Sequence, residues 1–497
     1  MARTFQLIRA GGGPTGMFAS TSPVGSPVVS FSQADCGVAE TCKYSVIIGN
    51  NGSGKSRLLG NIASEFVRLH RGHSGRGGRS PKLDVMDYLV DGRPFGTSAL
   101  FDTVWDTSGI DGFHSRLPSR VIAVALTSVD KFPLEPSGTS DDQIGRELED
   151  VEGDTAFYCY VGMRDRTNRA SVSALLYRAL EGLARVRSVS DTERLQQVFA
   201  LLGYEPEVHV RLNMRISHDV EAFVRGEREL GVASTDDTRL LSRLRAASKS
   251  GRYSDEWLRE ALKPFIQSST KNTIEYTLTF GNGVRSQGFN MEALRLLRRL
   301  GALGLSAVTM RRLDDGLEHD LRDASSGQIS ILTVFLSVAA HLRDGSLVLI
   351  DEPETSLHPE WQNRYVNLIQ EVFADFKGCH FVFSTHSPLI VADMPAGSII
   401  YSMDRRENVS SAELLGRSSD FVMARAFDVV EPSNLYLRDV LAEALRLVGN
   451  RQIGTKAFAD QLTELVRLSK TMESDSQIMQ IVMDLQNAKA ELTSNGN

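Results

Sequence analysis

A run of eight residues near the N-terminus has the composition needed to hold phosphate groups. It consists of Gly49, Asn50, Asn51, Gly52, Ser53, Gly54, Lys55 and Ser56, and it fits the pattern G-x-x-x-x-G-K-[ST] at every position. Glycines let backbone N–H groups turn toward phosphate oxygens, and a helix that follows adds partial positive charge. Lys55 would then reach the β- and γ-phosphates of a nucleotide, and the Ser56 hydroxyl would bind Mg²⁺. The run predicts a Walker A phosphate loop, with a chance glycine turn as the alternative.

Two adjacent carboxylates follow an apolar segment in the second half of the chain. Asp351 and Glu352 come directly after the residues Leu-Val-Leu-Ile at 347–350. Asp351 can hold Mg²⁺ through water beside Ser56, and Glu352 can take a proton from an attacking water molecule. The pattern predicts a Walker B motif with Glu352 as general base. A strand that merely stops at charged residues is the alternative.

A histidine occupies the corresponding place after the next apolar segment. Residues 380–384 predict a strand, and Thr385 and His386 follow it. At a strand end beside the phosphate loop, a histidine can hydrogen-bond the γ-phosphate or orient the water. His386 is therefore a candidate catalytic residue, and a purely structural histidine is the alternative.

A serine- and glycine-containing segment precedes an apolar helical pattern at 331–336. The segment is Ala324, Ser325, Ser326, Gly327 and Gln328. Either serine could cap the helix, and a cap followed by glycine leaves N–H donors exposed at a positive helix end. By itself this is an N-cap signature. Its place just before the Walker B segment makes it a candidate for nucleotide contact.

The segments that carry these residues alternate between strand and helix patterns. Buried strands are predicted by apolar segments at 44–48, 121–126, 346–350 and 380–384. Short apolar runs separated by turns within residues 1–60 predict a small antiparallel sheet before the phosphate loop. The fold class is therefore α/β.

Two parts of the chain have mainly helical patterns. The first runs from about residue 145 to 300, with one β-like piece at 273–280, and the second covers about 435–497. Arginines are frequent in the first part, but acidic residues are interleaved with them. We predict solvated helix faces there, with a DNA- or partner-facing surface as the alternative. The predicted units are an N-terminal lobe at 1–135, a mainly helical insertion at 136–300, a C-terminal lobe at 301–430 and a helical extension at 431–497.

The composition excludes several classes of protein. The 497 residues have a net charge of −7, which argues against a globally basic nucleic-acid coat. No apolar run is long enough to cross a bilayer, and the N-terminus lacks the apolar core of a signal peptide. A cytoplasmic protein without a membrane partner is expected. The four cysteines, which have no zinc-ligand spacing, predict reduced thiols.

Together these motifs resemble the ATP-binding-cassette (ABC) class of ATPases, and within it the branch of RecF, structural-maintenance-of-chromosomes (SMC) and OLD proteins. The matching segments occur in the family's order at 49–56, 324–328, 349–359 and 384–388. The resemblance covers roughly residues 1–135 and 300–430. It implies an ABC-ATPase head, in which a mixed sheet is flanked by helices, with a helical insertion and a C-terminal extension. It also implies ATP and Mg²⁺ as cofactors.

The resemblance further implies an assembly of two heads around ATP. In that family the signature segment of one subunit contacts the nucleotide held by the other, so Ser325, Ser326, Gly327 and Gln328 would act in trans. A homodimer or higher oligomer is therefore expected. The chain departs from the family pattern at Ser326, where transporters have glycine. It also lacks a glutamine in the Q-loop position at 127–132, which leaves the Mg²⁺-sensing residue undetermined.

Three functions compete at this level. No acidic cluster of the OLD nuclease type occurs in 400–497, so the output activity is expected in a separate chain. Compact ATPases of this kind resemble those paired with a nuclease in anti-phage operons, such as PtuA of Septu systems. An ATPase that regulates a nuclease or toxin effector is the first expectation. A RecF-like DNA-repair clamp is the alternative, and a transporter engine is the third. Candidates for the adenine contact are Phe18, Phe31 and Tyr44, with core packing as the alternative.

Overall fold

The computed structural model describes most of the chain. The described residues are 2–12, 27–32, 41–72, 82–96, 116–127, 129–134, 157–164, 171–183, 189–214, 216–231, 238–249, 251, 253–268, 273–281, 283–287, 291–355, 357–431, 433–469 and 477–494. Phe18, one candidate for the adenine contact, lies outside these residues. The predicted boundary between residues 135 and 136 also falls at the edge of an undescribed range.

The strands and helices of the described part follow one another along the whole chain. The strands are β1 (Phe5–Gly11), β2 (Val29–Ser30), β3 (Lys43–Ile48), β4 (Val85–Val90), β5 (Arg93–Gly96), β6 (Val121–Ala125), β7 (Tyr158–Gly162), β8 (Glu207–Met214), β9 (Thr273–Gly281), β10 (Gly283–Gln287), β11 (Leu303–Arg311), β12 (Glu318–Asp320), β13 (Leu347–Asp351), β14 (His380–Ser384), β15 (Ile399–Ser402) and β16 (Glu407–Val409). The helices are α1 (Lys55–Gly72), α2 (Val172–Leu183), α3 (Val189–Leu201), α4 (His218–Val224), α5 (Arg239–Lys249), α6 (Asp255–Ser268), α7 (Met291–Arg299), α8 (Ser326–His341), α9 (Pro359–Gln362), α10 (Tyr365–Val372), α11 (Pro388–Ala392), α12 (Ser411–Leu414), α13 (Ser419–Ala426), α14 (Leu435–Gly449), α15 (Lys456–Ser469) and α16 (Gln477–Ser494).

A seven-stranded mixed sheet forms the centre of the molecule. Its strand order is β16-β15-β3-β14-β13-β6-β7, and all neighbours pair in parallel except β15 and β16, which are antiparallel. The central strands β6, β13 and β14 are buried along their whole length, because helices and a second sheet cover both faces. This explains why they appear in the sequence as continuous apolar runs. The α/β fold class is confirmed.

The strand order brings the candidate residues to one edge of the sheet. The phosphate loop follows β3, Thr385 and His386 follow β14, and Asp351 ends β13. In this sheet β14 lies between β3 and β13, and all three run parallel. Their carboxyl ends therefore meet side by side, which is where ligands bind in open α/β sheets.

A four-stranded antiparallel sheet packs against α1. Its order is β2-β1-β4-β5, so the antiparallel sheet predicted before the phosphate loop is completed by two strands from beyond the loop. Phe5 of β1, Phe66 of α1 and Tyr88 of β4 form an aromatic cluster, with ring centroids 5.2 to 5.7 Å apart. The cluster holds the first helix after the loop between the two sheets.

The segment expected to be a mainly helical insertion contains more β structure than its pattern suggested. Besides helices, it contributes β7 to the edge of the central sheet. It also provides β8 to β10, which join β11 and β12 in an antiparallel sheet of order β10-β9-β8-β11-β12. In β8 the residues alternate between buried and more exposed positions, as expected when one face packs on helices and the other faces solvent.

The C-terminal extension has a hydrophobic core of its own. Residues of α14, α15 and α16, including Leu437, Phe458 and Leu465, form a cluster separate from the cores of the sheets. Helix α13 connects the two regions, because Ala424 belongs to the extension's cluster whereas Val422 belongs to the central one. No helix in the described ranges combines the length and apolarity that a bilayer crossing requires.

Candidate functional site

The phosphate loop connects the end of β3 to the start of α1. Gly49 and Gly54 have φ of 151° and 101°, values that residues with a side chain rarely adopt. A Cβ at Gly49 would also lie 3.0 Å from the Cβ of Met403, so the loop has no room for a larger residue there. Lys55 is the first residue of α1 and is buried. The loop therefore wraps the helix N-terminus as the sequence predicted.

The Lys55 ammonium group lies within the loop and contacts His386. Its Nζ donates to the carbonyl oxygens of Gly49 at 2.8 Å and Asn50 at 3.2 Å, and it lies 2.6 Å from Nε2 of His386. Burial lowers the pKa of Lys55, and the carboxylate of Glu352 is the strongest opposing influence. Burial, followed by the positive charge of Lys55, lowers the pKa of His386. His386 is therefore neutral near pH 7 and accepts a hydrogen bond from Lys55.

Asp351 and Ser56, the two predicted metal ligands, are hydrogen-bonded to each other. Asp351 is buried at the end of β13, and it accepts hydrogen bonds from the hydroxyls of Ser384 and Ser56. Burial raises the pKa of Asp351 to about 6, although these two hydrogen bonds oppose the shift. A buried carboxylate beside a hydroxyl at the helix N-terminus is a suitable oxygen-donor pair for Mg²⁺.

Glu352 has an unusual backbone conformation. Its φ is +47°, in the left-handed region that non-glycine residues seldom occupy, and its N–H donates to the Ser384 carbonyl at 2.9 Å. Such a conformation costs about 1–3 kcal/mol and is typical of functional sites. The Glu352 carboxylate lies 3.9 Å from Nε2 of His386, and both side chains are about one-third exposed. The two predicted catalytic residues are thus adjacent, with access to solvent.

Glu354 is a site residue that the sequence reasoning did not single out. Its Oε1 accepts a hydrogen bond from the His386 backbone N–H at 2.5 Å, whereas Oε2 is buried and has no partner among the described residues. Burial raises the pKa of Glu354. The feature of the sequence that could have identified it is its position two residues after the Walker B pair. Glu354 fixes the position of His386 relative to Lys55.

The signature segment begins α8, as predicted from its capping pattern. Ser325, rather than Ser326, is the N-cap: it accepts from the Gln328 backbone N–H, and the Gln328 side chain accepts from the Ser325 N–H. Within the described part of the chain, these side-chain hydrogen bonds stay inside the segment, and none joins it to the phosphate loop. The fold therefore gathers Lys55, Ser56 and the residues after β13 and β14, but not the signature.

The Q-loop position contains a buried carboxylate instead of a glutamine. Asp130 is bound by Arg164 through two guanidinium nitrogens and by the Tyr160 hydroxyl at 2.7 Å. Its charge is close enough to contribute to the raised pKa of Asp351. The sequence showed an aspartate at this position but no sign of its buried partners, because Arg164 lies far from it along the chain.

Two of the adenine candidates belong to the core. Phe31 is only 2% exposed, and the ring of Tyr44 stacks on Phe381 with centroids 5.3 Å apart. These positions match the alternative of core packing.

The loop residues fit a bound nucleotide. The Ser53 hydroxyl oxygen is buried and has no hydrogen-bond partner in the described structure, which leaves one polar group of the loop unsatisfied. A phosphate oxygen would satisfy it, since buried hydroxyls in proteins almost always have partners. With Lys55, Ser56 and Asp351 beside it, the site has the donors and the oxygen ligands that Mg²⁺ and a nucleotide need.

This sheet and loop define the chain as a P-loop protein of the α/β class. A family model described as "AAA domain, putative AbiEii toxin, Type IV TA system" matches residues 140–392, just over half of the chain. The chain belongs to this family. The matched region contains the signature segment, Asp351, Glu352 and His386, and the phosphate loop lies N-terminal to it.

Curated relatives share shorter segments. The chain is 28% identical over 137 residues to "Retron Ec83 probable ATPase" of Escherichia coli, a match that covers 25% of this chain and 24% of that protein. It is 27% identical over 103 residues to "Retron Vc95 probable ATPase" of Vibrio cholerae serotype O1 biovar El Tor, over 18% of this chain and 20% of the relative. A third relative, "Protein ea59" of Escherichia phage lambda, is 24% identical over 135 residues, covering 26% and 25%. The chain therefore spans about a quarter or less of these relatives' length.

Solved structures of SMC heads also align with the chain. An SMC head bound to the C-winged helix domain of ScpA is 12% identical, with a TM-score of 0.28 over 80% of this chain and 93% of that one. The SMC head domain from Thermotoga maritima is 9% identical, with a TM-score of 0.27 over 81% and 94%. At such scores the likeness carries no argument, and the fold class rests on the strand order and the loop.

Proposed function

We propose that the chain binds ATP with Mg²⁺ at residues 49–56 and hydrolyses it. The observation that carries this proposal is the convergence of Lys55, His386, Asp351 and Glu352 at the carboxyl ends of three adjacent parallel strands. Membership in a family of AAA domains and the names of the two retron relatives support it.

Each residue has a distinct role in this proposal. Lys55 would leave its carbonyl partners to bind phosphate oxygens, and Ser56 and Asp351 would hold Mg²⁺, which supplies positive charge against the phosphates when bound. Glu352 takes a proton from water as general base, and neutral His386, which Glu354 keeps in place, orients that water or the terminal phosphate. Glu352 has a left-handed backbone, and its carboxylate lies 3.9 Å from Nε2 of His386.

Replacement of Glu352 by glutamine tests this assignment. Glu352→Gln keeps the size and hydrogen-bonding capacity of the side chain but removes the base, so we expect ATP to bind while hydrolysis falls by about 10²- to 10⁴-fold. Glu360→Gln on α9, an exposed glutamate of the same segment, is the matched control and should retain activity. Hydrolysis by Glu352→Gln at the native rate would show that another group is the base.

We further propose that ATP controls assembly of an ABC-type head with a second copy of the chain. In this arrangement Ser325, Ser326, Gly327 and Gln328 contact the nucleotide of the partner. The exposed position of Ser325 and Gln328 at the positive end of α8 supports this role. Sedimentation of Glu352→Gln with and without Mg-ATP tests it, because an ATP-independent monomer would rule out the sandwich.

We propose phage defence as the biological setting, with a separate nuclease or toxin as effector, as for the PtuA ATPases. The support is the similarity to retron ATPases over part of their length. The experiment is to express tagged Glu352→Gln with its gene neighbours, purify it in Mg-ATP and identify bound chains by mass spectrometry. A co-purifying nuclease would favour this proposal, whereas nucleic acid alone would favour the RecF-like clamp.

The contacts of the insertion's arginines weigh against the DNA clamp. Arg211 pairs with Glu275 at 2.5 Å across β8 and β9, and Arg225 pairs with Glu221. Other arginines donate to backbone carbonyl oxygens: Arg243, Arg245 and Arg259. The ion-paired arginines offer less net charge to a DNA backbone, and those bound to carbonyl oxygens keep their charge but have fewer N–H donors left for phosphate contacts. The clamp requires ATP-dependent, salt-sensitive duplex binding, which a titration at two salt concentrations would detect.

A further inference from the structure

The turn between β15 and β16, residues 403–406, lies directly against the phosphate loop. The Met403 N–H donates to the Ile48 carbonyl at 2.9 Å, which continues the pairing of β15 with β3 to the start of the loop. The Met403 side chain also lies close to Gly49 and Gly54, since a Cβ on either glycine would be 3.0 or 3.8 Å from it. This turn forms one wall of the nucleotide site.

The next residue of the turn places a negative charge at the loop. The backbone N–H of Asn50 donates to Oδ2 of Asp404 at 2.8 Å. The negative charge of Asp404 raises the pKa of both Lys55 and His386, against the larger lowering by burial. Asp404 therefore acts electrostatically on the two groups proposed to face the phosphates. Asp404 thus accepts the Asn50 N–H at the start of the loop and places a negative charge there, which an anionic ligand would meet.

The same turn is attached to the C-terminal extension. The Arg405 guanidinium binds both carboxylate oxygens of Asp428. Asp428 also accepts from Arg467 of α15 at 3.4 Å, and Arg467 in turn pairs with Glu464 at 2.8 Å. A continuous chain of ion pairs therefore runs from the extension to the residue beside Asp404.

From these contacts we propose that Asp404 is a positioning residue that weakens nucleotide binding, and that the extension controls it through Arg405 and Asp428. This inference rests on the proposed nucleotide site and adds its regulation. A partner that binds the extension and displaces Arg467 would loosen the turn, move the Asp404 charge away and tighten nucleotide binding. The extension is then the place where an effector gains control of the ATPase.

The test is calorimetric titration with Mg²⁺ and the hydrolysis-resistant analogue AMP-PNP. Asp404→Asn removes the charge but can still accept from Asn50. We expect a Kd about two- to fivefold lower, a modest gain because Asp404 is solvent-exposed, and one that shrinks as salt is added. Asp404→Ala also loses the hydrogen bond and should bind more weakly than Asp404→Asn. An unchanged Kd for Asp404→Asn would overturn the inference.

The link to the extension is tested by a double-mutant cycle. Asp428 has φ of 55°, which asparagine tolerates, so Asp428→Asn removes the anchor of Arg405 without a backbone penalty. It should lower Kd about twofold alone and have no further effect when combined with Asp404→Asn. Arg405→Gln should change Kd in the same way as Asp428→Asn, both alone and combined with Asp404→Asn. This agreement would show that the effect is not a defect specific to position 428. Additive effects would show that the extension does not act through Asp404.

Two controls separate this inference from the proposed function. Arg446→Gln breaks an exposed ion pair with Glu443 on the same extension, 2.6 Å long and away from the turn, and should leave Kd unchanged. Lys55→Ala should abolish binding. If the native protein binds AMP-PNP no better than Lys55→Ala, the proposed site itself is wrong, whereas native binding with an inert Asp404→Asn refutes only the inference.

Discussion

The burial of His380 and its two hydrogen bonds should make the stability of the protein depend on pH. This histidine begins β14, is fully buried and joins two sheets: its Nδ1 accepts from the Leu7 N–H of β1 at 2.9 Å, and its Nε2 lies 2.8 Å from the Ser45 hydroxyl of β3. The Ser45 hydroxyl donates to the Phe31 carbonyl. Nδ1 must therefore be unprotonated and Nε2–H must donate to Ser45. A proton added to Nδ1 would break the hydrogen bond from Leu7.

The magnitude follows from the pKa values of the two states. Burial lowers the pKa of His380 from 6.5 to about 3 in the folded protein, and the charge of Lys43 contributes to the shift. Because the unfolded chain binds the proton first, stability falls as pH decreases from 6.5 and continues to fall until about 3. Each pH unit in this window removes about 1.4 kcal/mol, so at about pH 5 the loss from this one group is about 2 kcal/mol.

Urea denaturation at about pH 7.5 and about pH 5 measures this loss. Asp351 and Asp393, whose pKa values burial raises to about 6, act in the opposite direction, so His380 must be isolated by difference. His380→Gln is expected to lower stability at both pH values but to reduce the pH-dependent loss by about 2 kcal/mol. His319→Gln on β12 is the control. If the native protein and His380→Gln lost equal stability between the two pH values, the assigned protonation state would be refuted.

Two further substitutions test the packing around the loop. Gly60→Ala in α1 places a Cβ 2.4 Å from the Lys131 carbonyl oxygen, so we expect a loss of about 1–3 kcal/mol although helix propensity alone favours alanine by about 1 kcal/mol. Gly449→Ala, where no atom lies within 4 Å of the added Cβ, should not destabilise, and a stabilised Gly60→Ala would disprove the close contact. Asp130→Asn leaves the buried Arg164 guanidinium without its counter-charge and should cost about 3 kcal/mol in urea denaturation, so a cost below about 1 kcal/mol would contradict the pairing.

The central sheet could be predicted from the sequence because its strands are buried on both faces. In 380–384 three consecutive apolar residues lie between His380 and Ser384, and β14 has the predicted bounds. The parallel order of β3, β14 and β13 brings their carboxyl ends together, so the motifs that follow these strands place Lys55, Asp351 and His386 near one another. Local sequence patterns were sufficient to predict those site residues that lie next to the end of a strand.

The remaining site residues depend on contacts between distant parts of the chain. Asp130 is bound by Arg164, which belongs to the segment after β7, and Asn50 is bound by Asp404, which follows β15. Neither pair has a spacing that a periodicity could reveal. The strand β8 was missed for a different reason: its alternation is present, but apolar residues at helical spacing dominate the segment 145–300 in which it lies. In β11 the alternation is interrupted by a register shift between Leu305 and Ala307.

Helix α2 of the insertion contacts both Arg164, which binds Asp130, and helix α8. In the middle of α2, Arg178 donates to the backbone carbonyls of Gly162 and Arg164, next to the Asp130 pair that approaches Asp351. Near the C-terminal end of α2, a Cβ on Gly182 would lie 2.5 Å from Cε1 of His341, so α2 packs tightly against the last turn of α8. Helix α8 begins at the signature segment. Because close-packed interiors transmit strain, we expect a displacement of residues 129–134 either to break the Asp130–Arg164 pair or to move α2 and α8 together.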